Sequence, residues 1–340
     1  ALELAVASLA DLVESPLLRA SDLLKERMVI AEEIAQYEDA PEDFVQELLR
    51  QAAWGEHPLA HCELGSLESV DAIQVRHLRS FCAQHYRLPQ MVLAVGGQSN
   101  PELVARTAAS ISWPSGGQGG GQEGGRTGRD GQRARRQPVP GPVRLCLLDE
   151  QDTEETHIAL AVPALPLGHP EVPALMLLND LLGGCMTSRL FQEVREKRGL
   201  AYDIESELDL LSDAGLWTVY TGVRPERAAQ ALRVIGRELG QVAQGKFTQD
   251  ELDHARGHLL GASMLYLEHH RNLVEWQARH LLLQGAVPDI EARRRRLQEV
   301  SLAEARELAA RLLDPQRLIL TVVGPQTSID PLRRALLSCW

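Results

Sequence analysis

The chain has 340 residues, 44% apolar and 24% charged, which is the balance of a globular protein long enough for two domains with separate cores. Aromatic residues are only 4%, so the core has to be built from Leu, Val, Ile and Ala. A formal charge of -12 excludes nucleic acid as the main partner, because phosphate binding needs a basic surface.

No apolar run is long enough to span a membrane, and no charged-then-apolar leader opens the chain. Cys62, Cys82, Cys146, Cys185 and Cys339 contain no CxxC pair, which argues against a thiolate zinc site or a disulfide framework. They fit a reducing, cytoplasmic setting. The two arginine clusters, at 126–136 and Arg293–Arg296, read as a charged linker and a solvated helix face.

In chain order, Leu2, Leu4, Val6, Leu9, Leu12 and Val13 already trace one helical face. A domain rarely starts mid-helix, so an N-terminal portion is expected ahead of Ala1. The stretch "LRASDLLKERMVIAEEIAQYE" is a second helix behind a Ser cap signal. It carries Glu26 and Glu33 two turns apart on one face, about 10 Å along the axis. After the helical "SVDAIQVRHLRSFCAQHY", the apolar run "RLPQMVLAVGG" (87–97) reads as a buried strand. The glycine-rich stretch 114–142 is a flexible linker. The division is therefore 1–113, 114–142 and 143–340.

The second half reads as strands "VRLCLLDE" and "THIALAVPA", a helix "PEVPALMLLNDLLGG" capped by Gly183 and Gly184, and a further helix "SRLFQEVREKRG". Strands "AYDIESELDL" and "GLWTVYTGV" follow, then helices up to the closing strand "DPQRLILTVVG". Strands and helices segregate in runs, which predicts an α+β fold with helices packed on an antiparallel-rich sheet.

The two ends of the chain repeat one another. Met91 corresponds to Leu318 at an offset of 227, and "LRASDLLKER" corresponds to "FTQDELDHAR" at an offset of 229. The second half starts near Val143, so roughly 80 residues of it have no counterpart in the first, which reads as truncated. At the same offset Ala255 and Ala262 stand where the first half has Glu26 and Glu33. A fold that accepts alanine there does not need carboxylates for packing.

The segments "ERMVIAEEIAQYEDAPED", "WGEHPLAHCELGSLESV", "HYRLPQMVLAVGG" and "LLGGCMTSRLFQEVREKRGLAYDIESELDLLSDAGLW" resemble the zinc metallopeptidases of the insulinase and pitrilysin class (family M16), in its processing-peptidase-like branch. The resemblance covers nearly all the chain outside the linker. It implies two homologous α+β domains, the first incomplete here. It also implies hydrolysis of extended peptides or unfolded segments with Zn2+. By position it makes Glu33 a zinc ligand, Glu26 a carboxylate supporting the site, and Arg195 and Tyr202 the groups that hold the substrate backbone or the tetrahedral intermediate.

The family's other two ligands lie in an H-x-x-E-H helix, and these 340 residues contain no such motif. "LYLEHH" (265–270) lacks the first histidine, and "HARGH" (254–258) lacks the glutamate before the second; both read as exposed helix residues. His57 and His61 lack a third ligand. The chain alone is therefore expected to be inactive. The alternative is a non-catalytic subunit that dimerises with an active homologue and lends it Arg195 and Tyr202.

Overall fold

The computed structural model describes residues 2–87, 90–98, 100–110, 145–148 and 152–340. The flexible linker expected at 114–142 lies outside them. The first half contributes α1 (Leu2–Glu14), α2 (Ala20–Glu38), α3 (Pro41–Trp54), α4 (Leu67–Ala72), α5 (Val75–His85) and α6 (Pro101–Ser110). The second begins β1 (Leu145–Leu148), β2 (Thr156–Ala164), α7 (Val172–Leu182), β3 (Ala201–Leu210) and β4 (Gly215–Val223). It continues α8 (Ala228–Ala243), α9 (Gln249–Glu268), α10 (His270–Gln284), α11 (Ile290–Glu299), α12 (Leu302–Leu312), β5 (Ile319–Val323) and α13 (Asp330–Leu337).

Local chemistry sets many of these limits. Proline opens α3 at a position where no amide hydrogen is needed, and Gly55 closes it with φ 58°. Ser66 and Ser69 cap α4 reciprocally, while the Ser301 hydroxyl accepts the Glu304 amide at the start of α12. Gly285 ends α10 in the left-handed region, at φ 78°. Among the described residues no helix is long and apolar enough to cross a membrane.

The five strands form one sheet in the order β1-β5-β2-β4-β3, antiparallel except for the β1–β5 pair. This is the α+β architecture expected from the sequence. Strand β2 is buried on both faces because both are covered. Ile158, Leu160 and Val162 point into a large core with α7, α8 and α12. Ala159 and Ala161, on the opposite face, meet Val45, Leu48, Leu49 and Ala52 of α3. The small alanines let α3 approach the sheet, and the Thr321 hydroxyl of β5 donates to the Val45 carbonyl at 3.1 Å.

The repeat extends to the helices. At the offset of 229, α2 falls on α9, α3 on α10 and α6 on α13; at 227, α5 falls on α12. One element breaks the symmetry. The run 87–97, expected as a strand, is irregular over its described residues, although its counterpart β5 is the central partner of β1 and β2. A strand is held by its neighbours, and the segments that pair with β5 have no counterpart among the 340 residues.

Contacts divide the described residues into two units. One draws on Ala1–Ile34, Leu64–Arg133 and Ser263–Pro288; the other draws on Ala35–Glu63, Ala134–Ala262 and Asp289–Trp340. This differs from the linear division at 114–142. The chain changes unit within α2 and again within α9, at equivalent places of the repeat. So α3 serves the sheet of the second half, and α10 joins the first-half helices, where a Cβ on Gly96 would collide with Val274. The face of β2 and β5 opposite the large core supplies the physical reason: it needs an apolar helix, and α3 provides it.

Candidate active site

Helix α2 carries Glu26 and Glu33, and both are exposed. Between them Arg27 turns inward and donates to the Ile73 carbonyl at the end of α4, which fixes the rotation of the helix. That rotation leaves the Glu26–Glu33 face open. In the twin helix α9 the position matching Glu26 is Ala255, only 2% exposed and part of the large core, whereas Ala262 is exposed. The two helices thus use the Glu26 position differently: one faces solvent with a carboxylate, the other faces core with a methyl.

A catalytic zinc needs three protein ligands with an open fourth position. At Glu33 the chain supplies a single carboxylate. Among the described residues no histidine, cysteine or second acid joins Glu33 in a set able to share an ion. The residues present do not by themselves fit a catalytic zinc. His57 is used locally, its Nδ1 accepting the Leu59 amide at 3.2 Å, and Leu265, Glu268, His269 and His270 are exposed as expected.

Arg195 and Tyr202 belong to the sheet-bearing unit, and the structure does bring these two together. Arg195 lies in a widened, π-helical turn, Phe191–Glu196. Its guanidinium carbon sits 4.7 Å from the centroid of the Phe191 ring and 5.1 Å from that of Tyr202. Tyr202 is 80% exposed for a specific reason. Ala201 pairs with Val223 and Asp203 with Gly222, so Tyr202 is the extra residue of a β-bulge on the edge strand β3. The phenol is exposed, whereas the half-buried guanidinium also lies 3.9 Å, through Nε, from the Glu196 carboxylate.

The turn beneath them is held by charge. Glu193 accepts from Lys197 at 2.5 Å, Arg198 at 2.6 Å and Arg237 at 3.1 Å. The Lys197 hydrogen bond is the largest influence, and with Arg198 it holds the Glu193 carboxyl at about 2 against the opposing effect of burial. Ahead of this segment, Gly183 closes α7 as expected, its amide reaching the Asn179 carbonyl. A Cβ there would lie 2.8 Å from the Ser206 backbone nitrogen, so α7 can end against β3 only with glycine.

One cluster was not anticipated. His258 is exposed on its helix, as read from "HARGH", and its Nδ1 lies 2.8 Å from Oδ1 of the buried Asp180, with Cys185 beside them. The one-turn spacing of His254 and His258 is visible in the sequence, but the acidic partner of His258 lies on α7, far away along the chain.

Similarity to known proteins shows the family: the chain belongs to peptidase family M16. Residues 1–65 match the insulinase family (peptidase family M16), and residues 72–259 match the peptidase M16 inactive domain. An uncharacterized zinc protease of Mycobacterium leprae is 34% identical over 336 residues, covering 98% of this chain and 73% of that protein. One of Mycobacterium tuberculosis is 36% identical, covering 96% and 73%. A protease from Helicobacter pylori, solved by crystallography, shares the fold with a TM-score of 0.84 at 18% identity, covering 95% of this chain and 76% of that one.

Proposed function

We propose that this chain is part of a zinc metalloendopeptidase that cleaves extended peptides or unfolded segments. In this reading Glu33 is the carboxylate ligand and Glu26 supports it, while the two zinc histidines come from outside these 340 residues. Arg195 and Tyr202 donate to the substrate backbone and to the oxyanion that develops on the scissile carbonyl. The observation that carries the reading is the Arg195–Tyr202 pair, in which a half-buried guanidinium on a π-turn stacks with a tyrosine that a bulge exposes to solvent. Free Cys62, Cys82, Cys185 and Cys339 suit a cytoplasmic location.

Binding of a fluorescent extended peptide to the 340-residue chain tests this. Arg195→Ala is expected to weaken binding about tenfold or more, in the range of one lost charge-assisted contact. Unchanged binding in R195A would remove the substrate-holding role.

A second reading has its own support, since residues 72–259, which include Arg195 and Tyr202, match a domain described as inactive. The chain would then act as a non-catalytic subunit in a homo- or hetero-dimer with an active M16 peptidase. Glu33→Gln discriminates between them: in a protein with an H-x-x-E-H segment joined ahead of this chain it abolishes activity if Glu33 ligates zinc, and added to an active M16 partner it leaves the partner's activity unchanged if the chain only lends Arg195 and Tyr202.

A further inference from the structure

At the C-terminal end of α7 the structure gathers three metal-binding side chains that the peptidase reading leaves unused. Asp180 is in the last turn of α7, Cys185 is in the turn that follows, and His258 comes from α9. One ligand atom from each lies within 4.8 Å of the others. His258 Nδ1 is 2.8 Å from Asp180 Oδ1, and Cys185 Sγ is 3.7 Å from the Asp180 carbonyl and 3.2 Å from Thr187 Oγ1. One helical turn before His258, His254 Nε2 is 2.9 Å from the same Thr187 hydroxyl.

Asp180 does not behave as a simple ion-pair partner. It is 4% exposed, and burial raises its carboxyl above the usual range. The hydrogen bond with His258 occupies Oδ1 only; Oδ2 is buried without a partner. A buried orphan acceptor costs about 1–3 kcal/mol, and such groups in folded proteins call for an explanation. A cation shared with the neighbouring imidazole and thiol would satisfy it, which a His–Asp pair alone does not.

We propose that Asp180, Cys185 and His258 form a binding site for a zinc-class divalent metal, with water completing a tetrahedral set. The donors choose the class: thiolate, imidazole and one carboxylate suit Zn2+ or Co2+, whereas Ca2+ and Mg2+ take oxygen ligands. Cys185 and His258 are partly exposed, so an ion can enter from solvent. The turn holding Cys185 runs directly into the segment that carries Arg195, so a metal here stiffens its base. The site shares no residue with the Glu26–Glu33 face.

Titration of the 340-residue chain with Co2+, followed by absorbance, is the test. The expected result is a tetrahedral Co2+ spectrum with a thiolate-to-metal charge-transfer band, displaced by Zn2+. Cys185→Ser is expected to lose that band, and His258→Ala to weaken binding by at least about tenfold. Cys185 is on a partly exposed turn, and a melting curve confirms that C185S is folded; Glu33→Gln should keep the band. Absence of the band in the unaltered chain, or its survival in folded C185S, overturns the proposal.

Discussion

The Arg195 guanidinium lies 5.1 Å from the ring centroid of Tyr202, with Phe191 at 4.7 Å completing the stack. A cation on an exposed ring is worth only about 0.5–1 kcal/mol, so this arrangement is a poor stability device. Tyr202→Ala is therefore expected to move the urea midpoint little, by less than about 1 kcal/mol in unfolding free energy, while weakening peptide binding. Tyr202→Phe keeps the stack and separates the two contributions: loss of binding in Y202F assigns it to the hydroxyl. A large stability loss in Y202A would mean that the pair is structural.

Glu193 makes a prediction about acid. Its carboxyl is lowered from 4.5 to about 2 by Lys197 and then Arg198, so the folded state holds the proton less tightly than the unfolded chain does. The stabilisation is complete above about 4.5 and is lost as pH falls through about 2. Glu193→Gln should lower the urea midpoint near neutral pH and flatten its dependence over that acid window. Equal slopes in E193Q and the unaltered protein would show that the ion pairs are not felt by the folding equilibrium.

The cover that α3 gives the sheet can be measured. Leu49 of α3 is 1% exposed against the sheet, so Leu49→Ala is expected to cost about 2–5 kcal/mol. Thr321→Val, which deletes the hydroxyl bond to the Val45 carbonyl, should cost about 1 kcal/mol. A helix merely resting on the surface would give values within about 0.5 kcal/mol for both. Chemical denaturation of the two variants decides it.

The repeat was legible because periodicity and caps are local: the offsets of 227 and 229 aligned α5 with α12 and α2 with α9 to within a residue of their ends. Gly183 was legible as a cap for the same reason. What escaped the sequence is non-local. That α3 sits on β2 and β5 depends on the small alanines at 159 and 161, which carry no message about which helix they admit. The run 87–97 has the composition of a strand but pairs with no strand among the described residues. Tyr202 is recognisable by family resemblance, yet the bulge that exposes it depends on the register of Ala201 and Asp203 against β4. His258 is exposed on its helix as the sequence predicts, while its partner Asp180, 78 positions away, leaves no local signal.

The central claim is that these 340 residues hold one part of a peptidase site. Zinc-dependent cleavage of an internally quenched extended peptide tests it, with the chain alone and with a family segment carrying H-x-x-E-H joined ahead of it. The account predicts no cleavage by the chain alone, cleavage by the joined protein, and its loss in Glu33→Gln. Zinc-dependent cleavage by the chain alone, or full activity of the joined E33Q protein, would contradict it.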